Sequence, residues 1–238
     1  MRDPLRNDPR QYDELAGEWW RPGGAFELLH WLAEARARLI PPAVRPGAVL
    51  VDIGCGAGLL APHLRGKGYR HIGVDLVTSA LAQAACHGVA PVRGDAAALP
   101  LADAMADVVV AGELLEHVPD WSAVVAEACR VLRPGGLLVL DTVNATWLSR
   151  MVVVSLGERL RAVPRGIHDP RLFVDARALV AECARHGVRL AVRGARPTVP
   201  GLLRWLAGRP ARGVGRLGRI VPTRSTSVLY QGRGFKRG

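Results

Sequence analysis

Val49-Leu50-Val51-Asp52-Ile53-Gly54-Cys55-Gly56-Ala57-Gly58-Leu59-Leu60 is the stretch from which the fold can be read. Its apolar opening, rich in Val, Leu and Ile, predicts a strand buried on both faces. Glycines at alternate positions 54, 56 and 58 break the strand, and Leu59-Leu60-Ala61 resumes with a helical pattern. Strand, glycine turn and helix in that order make a loop for a nucleotide-type cofactor. Glycine lets the main chain take angles that other residues resist and lie directly against a ligand.

The spacing narrows the cofactor. A dinucleotide loop spaces its glycines to set a pyrophosphate on a helix N-terminus. Here the pattern is Gly-x-Gly-x-Gly, and Asp52 stands two residues ahead of Gly54. Asp75 closes a second predicted strand, Arg70-His71-Ile72-Gly73-Val74, 21 residues after Gly54. A carboxylate about 20 residues on is placed to grip two ribose hydroxyls. The whole pattern resembles the S-adenosylmethionine loop of class I methyltransferases. A sulfonium cofactor carries no phosphate, so an acidic residue at position 52 is compatible with it. S-adenosylmethionine is therefore expected before NAD, with Asp52, Gly54, Gly56, Gly58 and Asp75 around it.

Strands and helices alternate from there. Helices are predicted at 59–66, 78–87 and 121–132, and strands at 70–75, 90–93, 106–111 and 137–141. Such alternation predicts a doubly wound parallel α/β sheet, Rossmann-like and seven-stranded in the class I manner once a last helix (175–186) and strands at 188–194 and 226–235 close it. Ligands of such sheets bind beyond the carboxyl ends of the strands, where Gly54, Asp75, Asp95 and the 111–117 turn should converge. One domain over 1–238 is expected. Its parts are an N-terminal helical cap (12–40), a cofactor core (48–144), an insertion (146–170), and a closing helix, strands and basic tail (175–238).

Two features lie outside this rhythm. Trp19-Trp20 follow Tyr12, Leu15 and Ala16 at helical spacing, and so apolar a face near the terminus should pack over something. The insertion from Trp147 to Val163 is apolar with Arg at 150, 159 and 161, which suits an amphipathic helix at a membrane interface or, with the same residues, a lid over the site.

Of 32 Lys and Arg, 13 lie beyond Glu182, where Asp and Glu are absent; residues 1–182 carry the other 19 against all 21 acids. That asymmetry suggests an anionic partner for the C-terminal part, a membrane surface or a nucleic acid. An RNA reader interleaves aromatics with its cations, and the tail offers only Trp205, Tyr230 and Phe235. The membrane is the better fit. The four cysteines (55, 86, 129 and 183) form no Cys-x-x-Cys pair, so neither a zinc site nor a disulfide framework is expected. The N-terminus lacks the apolar core of a signal peptide and no run is long enough to span a bilayer, so a cytoplasmic protein is expected.

Glu113-Leu114-Leu115-Glu116-His117-Val118-Pro119-Asp120 follows the strand 106–111. In a helical turn, positions 113, 116 and 117 share a face. Two carboxylates and an imidazole there could hold a hard divalent cation such as Mg2+, which would lower the pKa of a catechol. Alternatively His117 alone takes a phenolic proton as general base.

Together with the glycine loop and this turn, Trp19-Trp20, Gly24-x-Phe26, Leu29-His30 and Val163-Pro164-Arg165-Gly166-Ile167-His168-Asp169 resemble the ubiquinone-biosynthesis O-methyltransferases, in the same order along the chain. The resemblance implies methyl transfer from S-adenosylmethionine to a catechol-type hydroxyl on a polyprenylated ring. It implies cofactor contacts at Arg36, Gly54, Asp75 and Gly112, a divalent-metal role for Glu113, Glu116 and His117, and membrane contact over 146–163, at the inner face of the membrane. Gly112 stands where that family carries a larger side chain, so any contact there is through backbone. The alternatives are another small-molecule acceptor, such as a quinone-ring carbon or a specialised phenol, and a non-catalytic membrane- or RNA-binding protein.

Overall fold

The computed structural model describes residues 6–8, 10–160, 163–164, 166–207 and 220–238. Arg161, Arg165 and the Arg- and Gly-rich stretch 208–219, on which expectations above depend in part, lie outside the described residues.

The apolar runs form a parallel sheet of β1 (Val49–Ile53), β2 (Arg70–Asp75), β3 (Ala90–Arg93), β4 (Ala106–Gly112) and β5 (Leu132–Val143). Three antiparallel strands complete it: β6 (Val188–Pro197), β7 (Ile220–Thr223) and β8 (Leu229–Lys236). The order is β3-β2-β1-β4-β5-β8-β6-β7. Alternate residues feed opposite faces. Val51, Ile53 and Val109 join the core on one side, while Leu50, Val108 and Val110 join the other. Burial on both sides is why these strands read as unbroken apolar runs.

The sheet has eight strands where the sequence predicts seven. The added one, β7, is a four-residue edge strand that pairs Pro222 with Ala195 of β6. Proline reads as a breaker, yet an edge strand tolerates it because the outer face needs no N–H donor. Helix α3 is also shorter than expected, Ala61–Leu64, since Gly66 and Gly68 beyond it take φ of +78° and +82°. Helices α4 (Thr78–Cys86), α5 (Trp121–Val131) and α7 (Ala176–Arg185) stand near their predicted places.

Before β1, the chain forms α1 (Arg10–Glu14), a 3-10 turn at Ala16–Glu18 and α2 (Glu27–Ala37). Trp19 and Phe26 stack at 4.1 Å and pack with Ala57 and Leu59, so the cap lies across the glycine loop. The insertion is α6 (Trp147–Ser149) running into π-helical turns at Arg150–Leu156 and a 3-10 turn at Gly157–Arg159. Thr146 caps it, its Oγ1 accepting the Ser149 N–H at 3.0 Å. Helix α8 (Val199–Leu206) follows β6. Among the described residues, no helix is long and apolar enough to cross a membrane.

Candidate active site

From β1 the chain runs outward to β2 and β3, then returns to the far side of β1 as β4. The reversal between β1 and β4 opens a crevice at the carboxyl ends of both strands, as doubly wound sheets do. A cavity of about 580 Å³ lies there. It is lined by Gly54, Gly56, Asp75 and Asp95 at the carboxyl ends of the first three strands, by Glu113 and His117 after β4, and by Val152 and Leu160 of the insertion with Leu202 and Trp205 of α8.

The glycine loop is built as its sequence demands. Gly54, Gly56 and Gly58 have φ of +67°, +50° and +78°. A Cβ on Gly56 would stand 2.8 Å from Trp19 Cη2, so the loop also admits the cap's indole. Asp75 holds the turn: its Oδ2 accepts the Gly56 N–H at 2.8 Å and its Oδ1 accepts the Val77 N–H at 2.9 Å. Each oxygen keeps a lone pair for a ligand hydroxyl. Burial raises its pKa against those hydrogen bonds. Asp52 is buried on β1, its Oδ2 3.4 Å from His71 Nε2 without hydrogen-bond geometry. Asp95 turns after β3, where its Oδ1 accepts the Ala97 N–H at 2.9 Å.

Arg36 and Gly112 form one unit. β-Sheet register sets Gly112 of β4 and Gln231 of β8 on either side of Asp141 in β5. Arg36 reaches over from α2 and binds Asp141 through two parallel bonds, Nε to Oδ2 at 2.9 Å and Nη2 to Oδ1 at 2.6 Å. Asp141 also accepts from the Glu113 N–H at 3.1 Å and Gln231 Nε2 at 3.1 Å. A Cβ at position 112 would fall 1.8 Å from Arg36 Cζ. The space that a side chain at 112 would need is thus filled by the guanidinium of residue 36. Burial alone would lower the Arg36 pKa, but the attraction of Asp141 outweighs it and keeps the charge.

The Glu113–His117 turn departs from the expected helical face. Glu113 takes a left-handed φ of +50°, uncommon for a side chain with a Cβ, and only Leu115–His117 coil, as a 3-10 turn. The three donors therefore diverge. Glu116 is fully buried and accepts from Thr142 Oγ1 at 2.7 Å; Glu113 faces the cavity; His117 turns to Asn7 and Tyr12. Among the described residues, no group of three His, Cys, Asp or Glu is placed to hold a metal ion. The expected donors Glu113, Glu116 and His117 are thus not gathered as such a group. Oε1 of Glu113 and Oε1 of Glu116 are each buried without a hydrogen-bond partner. Burial first, then the charge of Glu116, pushes Glu113 well above the carboxylate range, and burial lifts Glu116 to about 7.

His117 has the surroundings of a neutral base. Burial and the neighbouring His168, with ring centroids 5.2 Å apart, lower its pKa to about 3. Its Nδ1 lies 2.7 Å from Asn7 Oδ1 and its Nε2 3.5 Å from the Tyr12 hydroxyl. Asn7, Tyr12, Asp141 and His168 are site residues that motif and spacing did not single out for a role. Of these only His168 lay inside a recognised motif, and only Asp141 ended a predicted strand.

Residues 51–140 match the methyltransferase domain family. Over 184 residues the chain is 35% identical to the ubiquinone biosynthesis O-methyltransferase of Thiobacillus denitrificans, covering 74% of this chain and 78% of that one. It is 38% identical over 179 residues to the enzyme of the same name from Cupriavidus pinatubonensis, covering 70% and 72%. Among solved structures, an S-adenosylmethionine-dependent methyltransferase of Thermotoga maritima superposes with a TM-score of 0.66 at 20% identity over 96% of this chain and 99% of that one. At that identity the likeness is one of fold.

Proposed function

The chain belongs to the ubiquinone biosynthesis O-methyltransferase family and is an S-adenosylmethionine-dependent methyltransferase, and from that premise we propose that it methylates a catechol-type hydroxyl on a prenylated quinone precursor. One observation carries the reading. The same cavity is lined by the glycine loop and Asp75, by His117, and by apolar side chains of the insertion and α8; the first would then form a cofactor end and the last an apolar end, with His117 between. The cofactor end suits a nucleoside, and the apolar end suits a hydrocarbon chain.

In this reading Asp75 takes the ribose hydroxyls, Gly54, Gly56 and Gly58 let the backbone approach the cofactor, and Asp52 and Asp95 border it. Arg36, held by Asp141 over Gly112, faces the same end. The acceptor oxygen attacks the methyl carbon in line with the departing sulfur. The O–C bond forms as the C–S bond breaks, the sulfonium becomes a neutral thioether, and the hydroxyl proton passes to His117 Nε2. A base of such low pKa takes that proton as the methyl group moves, not beforehand. Positioning of a general base contributes about 10²–10⁴-fold.

A second reading rests on the unpartnered Oε1 atoms of Glu113 and Glu116. A divalent cation held there would polarise a catechol oxygen and neutralise the paired carboxylates. The test is methyl transfer from labelled cofactor to prenylated catechols, with magnesium or with chelator. Transfer that survives the chelator and fails in His117→Ala supports the proton at His117. Transfer that the chelator abolishes supports the cation. No transfer to any catechol, with cofactor still bound, removes the acceptor assignment.

Trp147 and Leu156 of the insertion and Val199, Leu203 and Leu206 of α8 are exposed, with Arg150 and Arg204 among them. Apolar side chains beside arginines on the insertion and α8, two elements that also contribute to the cavity lining, suit contact with an anionic lipid surface, from which a prenylated acceptor would be drawn.

A further inference from the structure

Asn7 lies 110 residues from His117 in sequence and binds it at two points. Its Nδ2 donates to the His117 carbonyl oxygen at 2.7 Å, and its Oδ1 lies 2.7 Å from His117 Nδ1. The pair of contacts leaves one consistent assignment of hydrogens. A carbonyl oxygen only accepts, so the amide nitrogen of Asn7 must be the atom facing it. The atom facing the imidazole is then the amide oxygen, which also only accepts. Nδ1 must therefore carry the ring hydrogen, and the lone pair is left on Nε2. That nitrogen is the one turned to the Tyr12 hydroxyl and the cavity.

The arm that presents Asn7 is itself fastened. The Asn7 N–H donates to the Gly166 carbonyl at 2.8 Å, and Arg6 Nη1 donates to the His168 carbonyl at 2.8 Å and to Glu158 Oε1 at 3.0 Å. Asn7 has φ of +61°, a left-handed angle that asparagine tolerates better than most side chains. The conformation that brings its amide back onto residue 117 is therefore inexpensive for this residue type.

We propose that Asn7 is a positioning residue for methyl transfer: its amide fixes the ring of His117 and the tautomer whose Nε2 is free to accept the acceptor's proton. The inference rests on the reading of His117 as the base. It assigns the N-terminal arm a part in the chemistry although the arm is remote from the glycine loop and the 113–117 turn in sequence. Orientation of an imidazole by a hydrogen bond at its other nitrogen is a general requirement of histidine bases.

The test uses the full chain labelled with 15N-histidine, and reads the tautomer of His117 from long-range proton–nitrogen correlations at neutral pH. The wild type should show the Nδ1–H form. Asn7→Ala should lose it, and Asn7→Asp, which retains an acceptor, should keep it. In parallel, kcat should fall about 10- to 100-fold in Asn7→Ala, with cofactor Kd unchanged within about twofold, and recover in large part in Asn7→Asp. An Nε2–H form in the wild type overturns the assignment. So does an Asn7→Ala variant with normal kcat when His117→Ala is inactive. A fully active His117→Ala variant removes the underlying base, and the spectra would still report separately whether Asn7 sets the tautomer.

Discussion

Replacing Gly112 by alanine should damage the protein far more than one methyl group normally does. The backbone at 112 is not in the left-handed region, so alanine suffers no torsional strain there. The cost is all in the contact: the new Cβ would stand 1.8 Å from Arg36 Cζ. Ordinary carbon contact is about 3.5–4.0 Å, so the guanidinium must retreat by roughly 2 Å. Its bonds to Asp141 at 2.9 and 2.6 Å would then open beyond hydrogen-bond range. Asp141 is fully buried and would keep only the Glu113 N–H and Gln231. Breaking a buried pair costs about 3–5 kcal/mol, and the two surviving donors favour about 3 kcal/mol. For a chain of this size that lowers Tm by about 6–12 °C. Thermal unfolding followed by circular dichroism gives the number. The same substitution in an Arg36→Ala background should cost under about 0.5 kcal/mol, because Cζ, Nη2 and Nε, the atoms that a Cβ at 112 would meet, are all gone. A Gly112→Ala protein that melts within about 1 °C of wild type, or that loses equally in both backgrounds, refutes the reasoning.

Asp75→Ala should reduce cofactor affinity by more than tenfold, measured by calorimetry, since the Gly56 and Val77 N–H groups lose their acceptor together with the proposed ribose contact; unchanged affinity would remove Asp75 from the site. His117 and His168 are held neutral in the fold, with pKa lowered by burial to about 3 and about 4 from an ordinary 6.5. Between those values and 6.5 the unfolded chain binds more protons than the native one, so stability falls as pH drops through that window. Glu113 and Glu116, raised by burial, push the other way over part of this range, so the histidine's share is read as a difference: in denaturant titrations from pH 7 to pH 4, His117→Gln should lose less stability than the wild type, and equal changes in both proteins would show that His117 is not held neutral. Anionic vesicles should retain the wild type better than a variant with Trp147, Leu156 and Leu203 changed to Ser, and equal retention would exclude that face as the contact.

Order along the chain carried much of the fold. The run Val49–Ile53 could be read as a doubly buried strand because both faces of the sheet are covered, and Gly54, Gly56 and Gly58 marked the turn because their φ values exclude most other residues there. The turn at 113–117 was located correctly in sequence but not in shape. Helical spacing predicts a shared face, whereas with Glu113 left-handed and only Leu115–His117 coiled, Glu116 bonds Thr142 and His117 bonds Asn7.

The cofactor loop, the alternation that fixes the sheet, and the family are local properties, set by residue spacing within single strand–turn–helix units, and the sequence determined them by itself. Tertiary structure alone decided that Arg36 meets Asp141 across Gly112, that Trp19 covers Gly56, and that Asn7 takes hold of His117. Each of these joins residues tens to more than a hundred positions apart. No periodicity records such a contact, because it depends on which strand ends lie side by side and which helix crosses above them.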